Sequence, residues 1–144
     1  MYAPSASRSP TDAAERLFAL SLDPLCLVDR DGRLVRVNPA FARLLGWSGD
    51  DLAGRPTLDL VHPDDRAPTR AAAALCARGV APASLENRVR CRDGSYRWLS
   101  WRASAPDDEG RVYAAGRDVT ARRQADDDLR RQALTFAMMH EAVI

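Results

Sequence analysis

The feature that most constrains this chain is residues 85–120, which alternate and turn as three consecutive strands. Over residues 85–92, Leu85, Asn87, Val89 and Cys91 fall on one face and Glu86, Arg88, Arg90 and Arg92 on the other, the period-two pattern of a half-buried strand. Asp93-Gly94 supplies a two-residue hairpin turn, since glycine accepts the positive φ that such turns require. Residues 96–103 make an aromatic-rich second strand, 106–110 a polar connector and 111–119 a third strand. In the second strand Trp98 and Ser100 point one way, and Leu99, Trp101 and Ala103 the other. Both faces carry apolar bulk, so both need cover. One is the core; the other calls for a helix or a partner subunit.

A chain of 144 residues suits one domain with a hydrophobic core of its own. The net charge is +1, from 21 basic and 20 acidic residues, which argues against nucleic acid or an anionic membrane as a bulk partner. Every basic residue is arginine, so lysine Schiff-base chemistry and a lysine-bearing phosphate loop are excluded. Cys26, Cys76 and Cys91 form no C-x-x-C pair and read as reduced core residues of a cytoplasmic protein. No apolar run approaches the ~20 residues of a membrane span, and no signal peptide is visible.

In chain order, residues 1–10 are rich in Ser, Ala and Pro and are expected to be disordered. Thr11 or Asp12 caps a helix over residues 13–22, with Leu17, Phe18, Leu20 and Leu22 on its apolar side. Residues 25–29 and 33–38 are short strands joined by Arg30-Asp31-Gly32, a hairpin connection. Asn38-Pro39 opens a helix, Phe41, Leu44 and Leu45 form its stripe, and Gly46 closes it. Short turns follow at 49–54 and 57–61. His62-Pro63-Asp64-Asp65 then starts a helix over 64–78, its acids at the positive end of the dipole. Strands at both ends with helices between them predict an α+β fold, one antiparallel sheet covered on one face.

These residues resemble a PAS domain, the sensory module of bacterial signalling proteins. The likeness is carried by Val28-Asp29 with Gly32, Asn38-Pro39-Ala40-Phe41, Leu45-Gly46-Trp47, Val61-His62-Pro63-Asp64-Asp65-Arg66, Glu86-Asn87-Arg88, Asp93-Gly94-Ser95-Tyr96-Arg97-Trp98 and Gly116-Arg117-Asp118-Val119-Thr120. It implies a five-stranded antiparallel sheet in the order 2-1-5-4-3, helices over one face, and flanking N- and C-terminal helices. The sensory domain is expected over residues 11–120. The resemblance further implies a small ligand, or none, between sheet and helices, and a homodimer formed through the N-terminal helix and the outer sheet face. It also implies a downstream effector in the same chain, of the sensor histidine kinase or diguanylate cyclase type.

For the ligand pocket the expected residues are Leu45, Trp47, Asn87, Val89, Trp98 and Ser100. Asn87 is the most informative, because a polar side chain facing the core must be hydrogen-bonded or it costs ~1–3 kcal/mol. A ligand contact and a bond to neighbouring backbone or ordered water are equally consistent with it. For pairing and signalling the expected residues are Phe18, Leu99, Trp101, Asp118, Thr120 and Leu129. Haem and covalent flavin are not expected. The long helix over 64–78 lacks the histidine of haem-binding relatives, and the reactive Asn-Cys-Arg setting of the flavin-bound branch is missing. His62 reads as a turn and cap. The acidic runs at 64–65, 107–109 and 126–128 read as solvated surface rather than the cleft-held pairs of acid–base catalysis, so the chain is expected not to be an enzyme.

Thr120 is expected to cap a final helix, in which Ala125, Leu129, Gln132, Phe136, Met139 and Val143 recur at spacings of four and three, a coiled-coil seam with one polar interruption. His140-Glu141 offers an alternative, the phospho-accepting helix of a histidine kinase, but Ala142-Val143-Ile144 replaces the basic residue and proline such helices carry next. A second feature favours a linker over residues 121–144. Phe18-Ala19-Leu20 and Phe136-Ala137-Met138, 118 positions apart, open similar segments, which predicts that a second domain of the same kind follows.

Overall fold

The computed structural model describes residues 10–80 and 84–141. The expected disorder at the start of the chain falls on residues 1–9, the end of the loop before the third strand on 81–83, and the apolar Val143-Ile144 end on 142–144; all lie outside the described residues. Pro10 belongs to the first helix rather than to a disordered tail, because proline fits the first helical turn.

Five strands form one antiparallel sheet: β1 (Leu25–Val28), β2 (Leu34–Val37), β3 (Leu85–Arg90), β4 (Tyr96–Ala103) and β5 (Val112–Asp118), in the order β2-β1-β5-β4-β3. Between β2 and β3 the chain builds α2 (Pro39–Leu45), the single turn α3 (Gly49–Leu52), 3-10 turns at Thr57–Leu60 and Pro63–Asp65, and α4 (Arg66–Ala77). Flanking these are α1 (Pro10–Leu20) and α5 (Thr120–Glu141). The α+β architecture is the one the strand and helix pattern predicts, and the strand order is the one the resemblance implies.

Local chemistry explains the elements. Asn38 caps α2, its side chain accepting from the Phe41 N–H, with Pro39 in the first turn and Gly46 closing at φ 78, a left-handed conformation that glycine adopts without strain. One core runs from Cys26 and Leu34 through Phe41, Leu45, Leu52 and Leu60 to Val89 and Leu99. Leu45, Leu52 and Leu99 are its most completely enclosed side chains. The three cysteines are free and buried. Among the described residues no helix is long and apolar enough to cross a membrane.

The β3–β4 hairpin departs from expectation in a way that matters for function. The turn holds three residues, Arg92-Asp93-Gly94: the Cys91 N–H donates to the Ser95 carbonyl at 2.7 Å, the Gly94 N–H to the Cys91 carbonyl at 3.0 Å, and Gly94 has φ 90. This is a tight turn followed by a left-handed residue. It sets Asn87 opposite Leu99 and Leu85 opposite Trp101; closed on Asp93-Gly94 alone, the ladder sets Asn87 opposite Ser100. One residue of slip turns a whole strand over. Leu99 and Trp101 therefore belong to the core face, and Trp98 and Ser100 to the outer face, the reverse of the sequence expectation.

Candidate functional site

A cavity of about 250 Å³ lies between the sheet and the helices. The sheet contributes Cys26, Val28, Leu85, Asn87, Val89, Trp101, Ala103, Val112 and Ala114, and the helical side Phe41, Leu60, Thr69, Ala72, Ala73 and Cys76. Asp29, Arg30 and Gly32 of the β1–β2 turn, Thr57, and Pro106 and Gly110 of the β4–β5 connection also line it. α4 presents alanines here, so small side chains leave room against the sheet.

Three polar groups meet in this apolar wall. The Asn87 amide nitrogen donates to Thr69 Oγ1 at 3.1 Å, and its oxygen accepts from Trp101 Nε1 at 2.8 Å. Thr69 Oγ1 donates to the Asp65 carbonyl at 2.7 Å. Asn87 is only 3% exposed, so these bonds offset the cost of burying its amide. Trp101 reaches this position because its cross-strand neighbour is Gly116; a Cβ there would stand 2.9 Å from the indole ring. Burial pushes the Cys26 thiol up to about 12, which favours its neutral form. Cys76 donates its thiol to the Ser104 carbonyl at 3.1 Å.

Of the six expected pocket residues, Asn87 and Val89 line the cavity. Leu45 is core and Trp47 packs beside it, its Nε1 donating to the Arg90 carbonyl at 3.0 Å. Both are tied to the hairpin-turn end of β3, where the Arg92 N–H donates to the Leu45 carbonyl, and neither reaches the cavity. Trp98 and Ser100 face away from it for the reason of register given above. Trp101, expected on a dimer surface, is instead a cavity wall. The pairing of Leu85 with Trp101 across the hairpin was the missed signal, and it depended on turn length.

The outer face of β3 and β4 carries a charged cluster. Asp65 receives the Arg88 backbone N–H at 2.8 Å and its Nε and Nη2 at 3.0 and 2.8 Å. This paired, half-buried carboxylate is not the solvated surface expected of it; the Arg88 hydrogen bonds hold its pKa below the ordinary carboxylate value. Trp98 lies beneath two guanidinium groups, Arg88 at 4.9 Å and Arg123 at 3.7 Å from its ring centroid. Glu86 accepts from Arg122 and Arg123 at the start of α5, which lowers its pKa. Contacts thus run unbroken from Asn87 through Thr69, Asp65, Arg88 and Trp98 to Arg123 on α5.

The start of α5 also corrects an expectation. Asp118 Oδ1 accepts the Thr120 N–H at 2.9 Å and the Thr120 hydroxyl at 2.6 Å, while that hydroxyl accepts the Trp98 N–H at 2.9 Å. Asp118 does the capping, and Thr120 ties the helix to β4. Beyond its first turn α5 is exposed, with Leu129 63%, Phe136 64% and Met139 64% accessible; it does not fold back onto its own domain. His140 lies near its end, against Phe136. His62 accepts the Asp64 N–H at 3.1 Å, the capping role expected of it. Phe18 is half-buried beneath Arg36, which pairs with Glu15. No cluster of His, Cys, Asp and Glu among the described residues could hold a metal ion.

The model of the PAS fold matches residues 18–124. The chain belongs to the PAS-fold family. As a PAS domain it is a sensory module related to domains of sensor histidine kinases. It is 38% identical over 93 residues to a neuronal PAS domain-containing protein 4-like from Danio rerio, covering 64% of this chain and 14% of that protein. It is 29% identical over 110 residues to sensor histidine kinase TmoS from Ectopseudomonas mendocina, covering 73% and 11%. Among solved structures it is similar to a sensory box histidine kinase/response regulator from Burkholderia thailandensis E264, at TM-score 0.69 and 25% identity over 87% of this chain and 98% of that one. This PAS domain therefore spans a small part of the curated relatives it matches.

Proposed function

We propose that this PAS domain is a non-catalytic cytoplasmic sensor that holds a small molecule non-covalently in the cavity between sheet and α4, pairs with a second copy, and relays cavity occupancy through α5 to an effector in the same chain. The observation that carries this reading is the cavity itself, an apolar space in which the buried Asn87 bonds Thr69 and Trp101 and is linked by contacts to the first turn of α5. Side-chain hydrogen bonds of this kind can rearrange together when one member finds a new partner.

Pairing is supported by the exposed apolar residues Leu129, Phe136 and Met139 on a helix that leaves the domain, the pattern of a helix awaiting a partner. Leu99 and Trp101 take no part in it, being inside. The effector is of the histidine kinase or diguanylate cyclase type, a reading supported by the likeness to TmoS. Neither haem nor covalent flavin is part of this reading, since no histidine is among the described residues that line the cavity and the sequence has no Asn-Cys-Arg setting.

Native mass spectrometry and sedimentation of the purified chain test this. The expected result is a dimer carrying a small molecule released on denaturation, and a monomer for Leu129→Asp. A wild-type monomer across a wide concentration range, or a Soret band, contradicts the reading.

A further inference from the structure

The polarity of the cavity restricts what it can hold, granted the ligand-site reading above. An apolar cavity of ~150 Å³ accommodates benzene. The space here, about 250 Å³, therefore suits on the order of ten heavy atoms, below the range of drug-sized pockets. Among the described residues its wall carries charge only at Asp29 and Arg30, in the β1–β2 turn. Asp29 Oδ1 is taken up by the Asp31 and Arg33 N–H groups of that turn, and Arg30 is exposed and reaches the Glu109 carbonyl at 3.5 Å. Among the described residues no carboxylate or guanidinium lines the cavity apart from these two at the turn, and an unpaired ion in the apolar interior is strongly disfavoured.

The most deeply buried polar side chain of the wall, Asn87, has hydrogen-bonding capacity to spare. A side-chain amide has two N–H donors and two acceptor positions. The Thr69 proton is committed to the Asp65 carbonyl, so Thr69 accepts from the amide nitrogen of Asn87. The Trp101 indole is a donor only, so it meets the amide oxygen. The two neighbours fix which way the amide points. Among the described residues each side of the amide makes one bond, leaving one N–H and one acceptor position.

We propose that the cavity takes an uncharged, mostly apolar molecule of on the order of ten heavy atoms bearing one carbonyl or amide group, and that Asn87 recognises that group.

Three probes sharing a benzene ring and similar in size test this by titration calorimetry on the whole chain: acetophenone, ethylbenzene and benzoate. Acetophenone is expected to bind at least tenfold tighter than ethylbenzene, with benzoate at least a hundredfold weaker than acetophenone. Asn87→Leu is expected to remove the preference for acetophenone while keeping ethylbenzene binding. Thr69→Val, which leaves the amide in place, serves as a second variant should the first fail to fold, and is expected to reduce the preference severalfold. Benzoate binding as tightly as acetophenone, or ethylbenzene binding equally, overturns the ligand class and leaves the ligand site standing. Should none of the three bind, the class is likewise overturned. Mass spectrometry of a solvent extract then separates the two readings: a retained molecule of other polarity keeps the site, and an empty extract removes both.

Discussion

At the residue scale, two buried asparagines do different work. Asn38 is fully enclosed. Its oxygen accepts from the Leu25 and Phe41 N–H groups at 2.8 and 3.0 Å, and its nitrogen donates to the Phe18 and Asp23 carbonyls at 3.1 and 2.9 Å. The sequence marked Asn38 as a helix cap from its place before Pro39. It could not show that the same amide also ties α1's end to the start of β1, because those partners come from elsewhere in the chain. Asn38→Ala leaves buried groups unpaired and removes the cap, so a loss of about 2–3 kcal/mol is expected, read from urea unfolding. A loss within the few tenths typical of surface changes contradicts this. Asn87 was legible as an inward polar residue from strand alternation alone. Its partner Trp101 was not, since the alternation of β4 gives two faces without saying which is inner. Gly116→Ala brings a Cβ to 2.9 Å from the Trp101 ring, closer than such contacts occur. The indole must shift, weakening its bond to Asn87. The expected result is a red-shifted tryptophan emission and lower thermal stability; an unchanged spectrum counts against the close packing of Gly116 on Trp101.

At the element scale, turn length decided what the sequence could reveal. The strands, the caps at Asn38 and Gly46, and the His62 turn were all legible because each rests on local chemistry. The face of β4 was not, since one extra residue in the Arg92-Asp93-Gly94 turn reverses it. The attachment of α4 to β3 was likewise hidden, because Asp65 and Arg88 are 23 positions apart. That pair predicts a pH dependence. The folded-state pKa of Asp65 lies below its ordinary value, so its contribution is fully present above the unfolded value of about 3.9 and is lost as pH falls through the lower folded value. The wild type is therefore expected to be more stable than Asp65→Asn at neutral pH, with the gap narrowing as pH falls below about 4. Urea midpoints at neutral and acid pH check this; a gap that stays constant contradicts the Asp65–Arg88 pairing.

At the scale of the whole molecule, the sheet order, the layer of helices and the place of a site between them followed from the resemblance, whereas the size and lining of the cavity followed from neither strand pattern nor composition. It exists because α4 presents alanines to a sheet whose facing residues are mostly modest in size, and long-range packing of that kind leaves no local trace. The central claim is that a small molecule enters this cavity and meets Asn87. The chain has three tryptophans, and the structure gives their indole N–H groups different surroundings. Trp101 donates to Asn87 and Trp47 to the Arg90 carbonyl, while the Trp98 ring lies under Arg88 and Arg123 on the outer face. The most direct test is nitrogen–proton NMR of the uniformly labelled chain, its indole signals assigned by single Trp→Phe variants, titrated with acetophenone. The Trp101 indole signal is expected to move in a saturable way with those of the Thr69 and Asn87 amides, while that of Trp47 stays in place. A Trp101 signal that stays fixed while signals elsewhere move, or a spectrum unchanged up to the solubility limit, would contradict it.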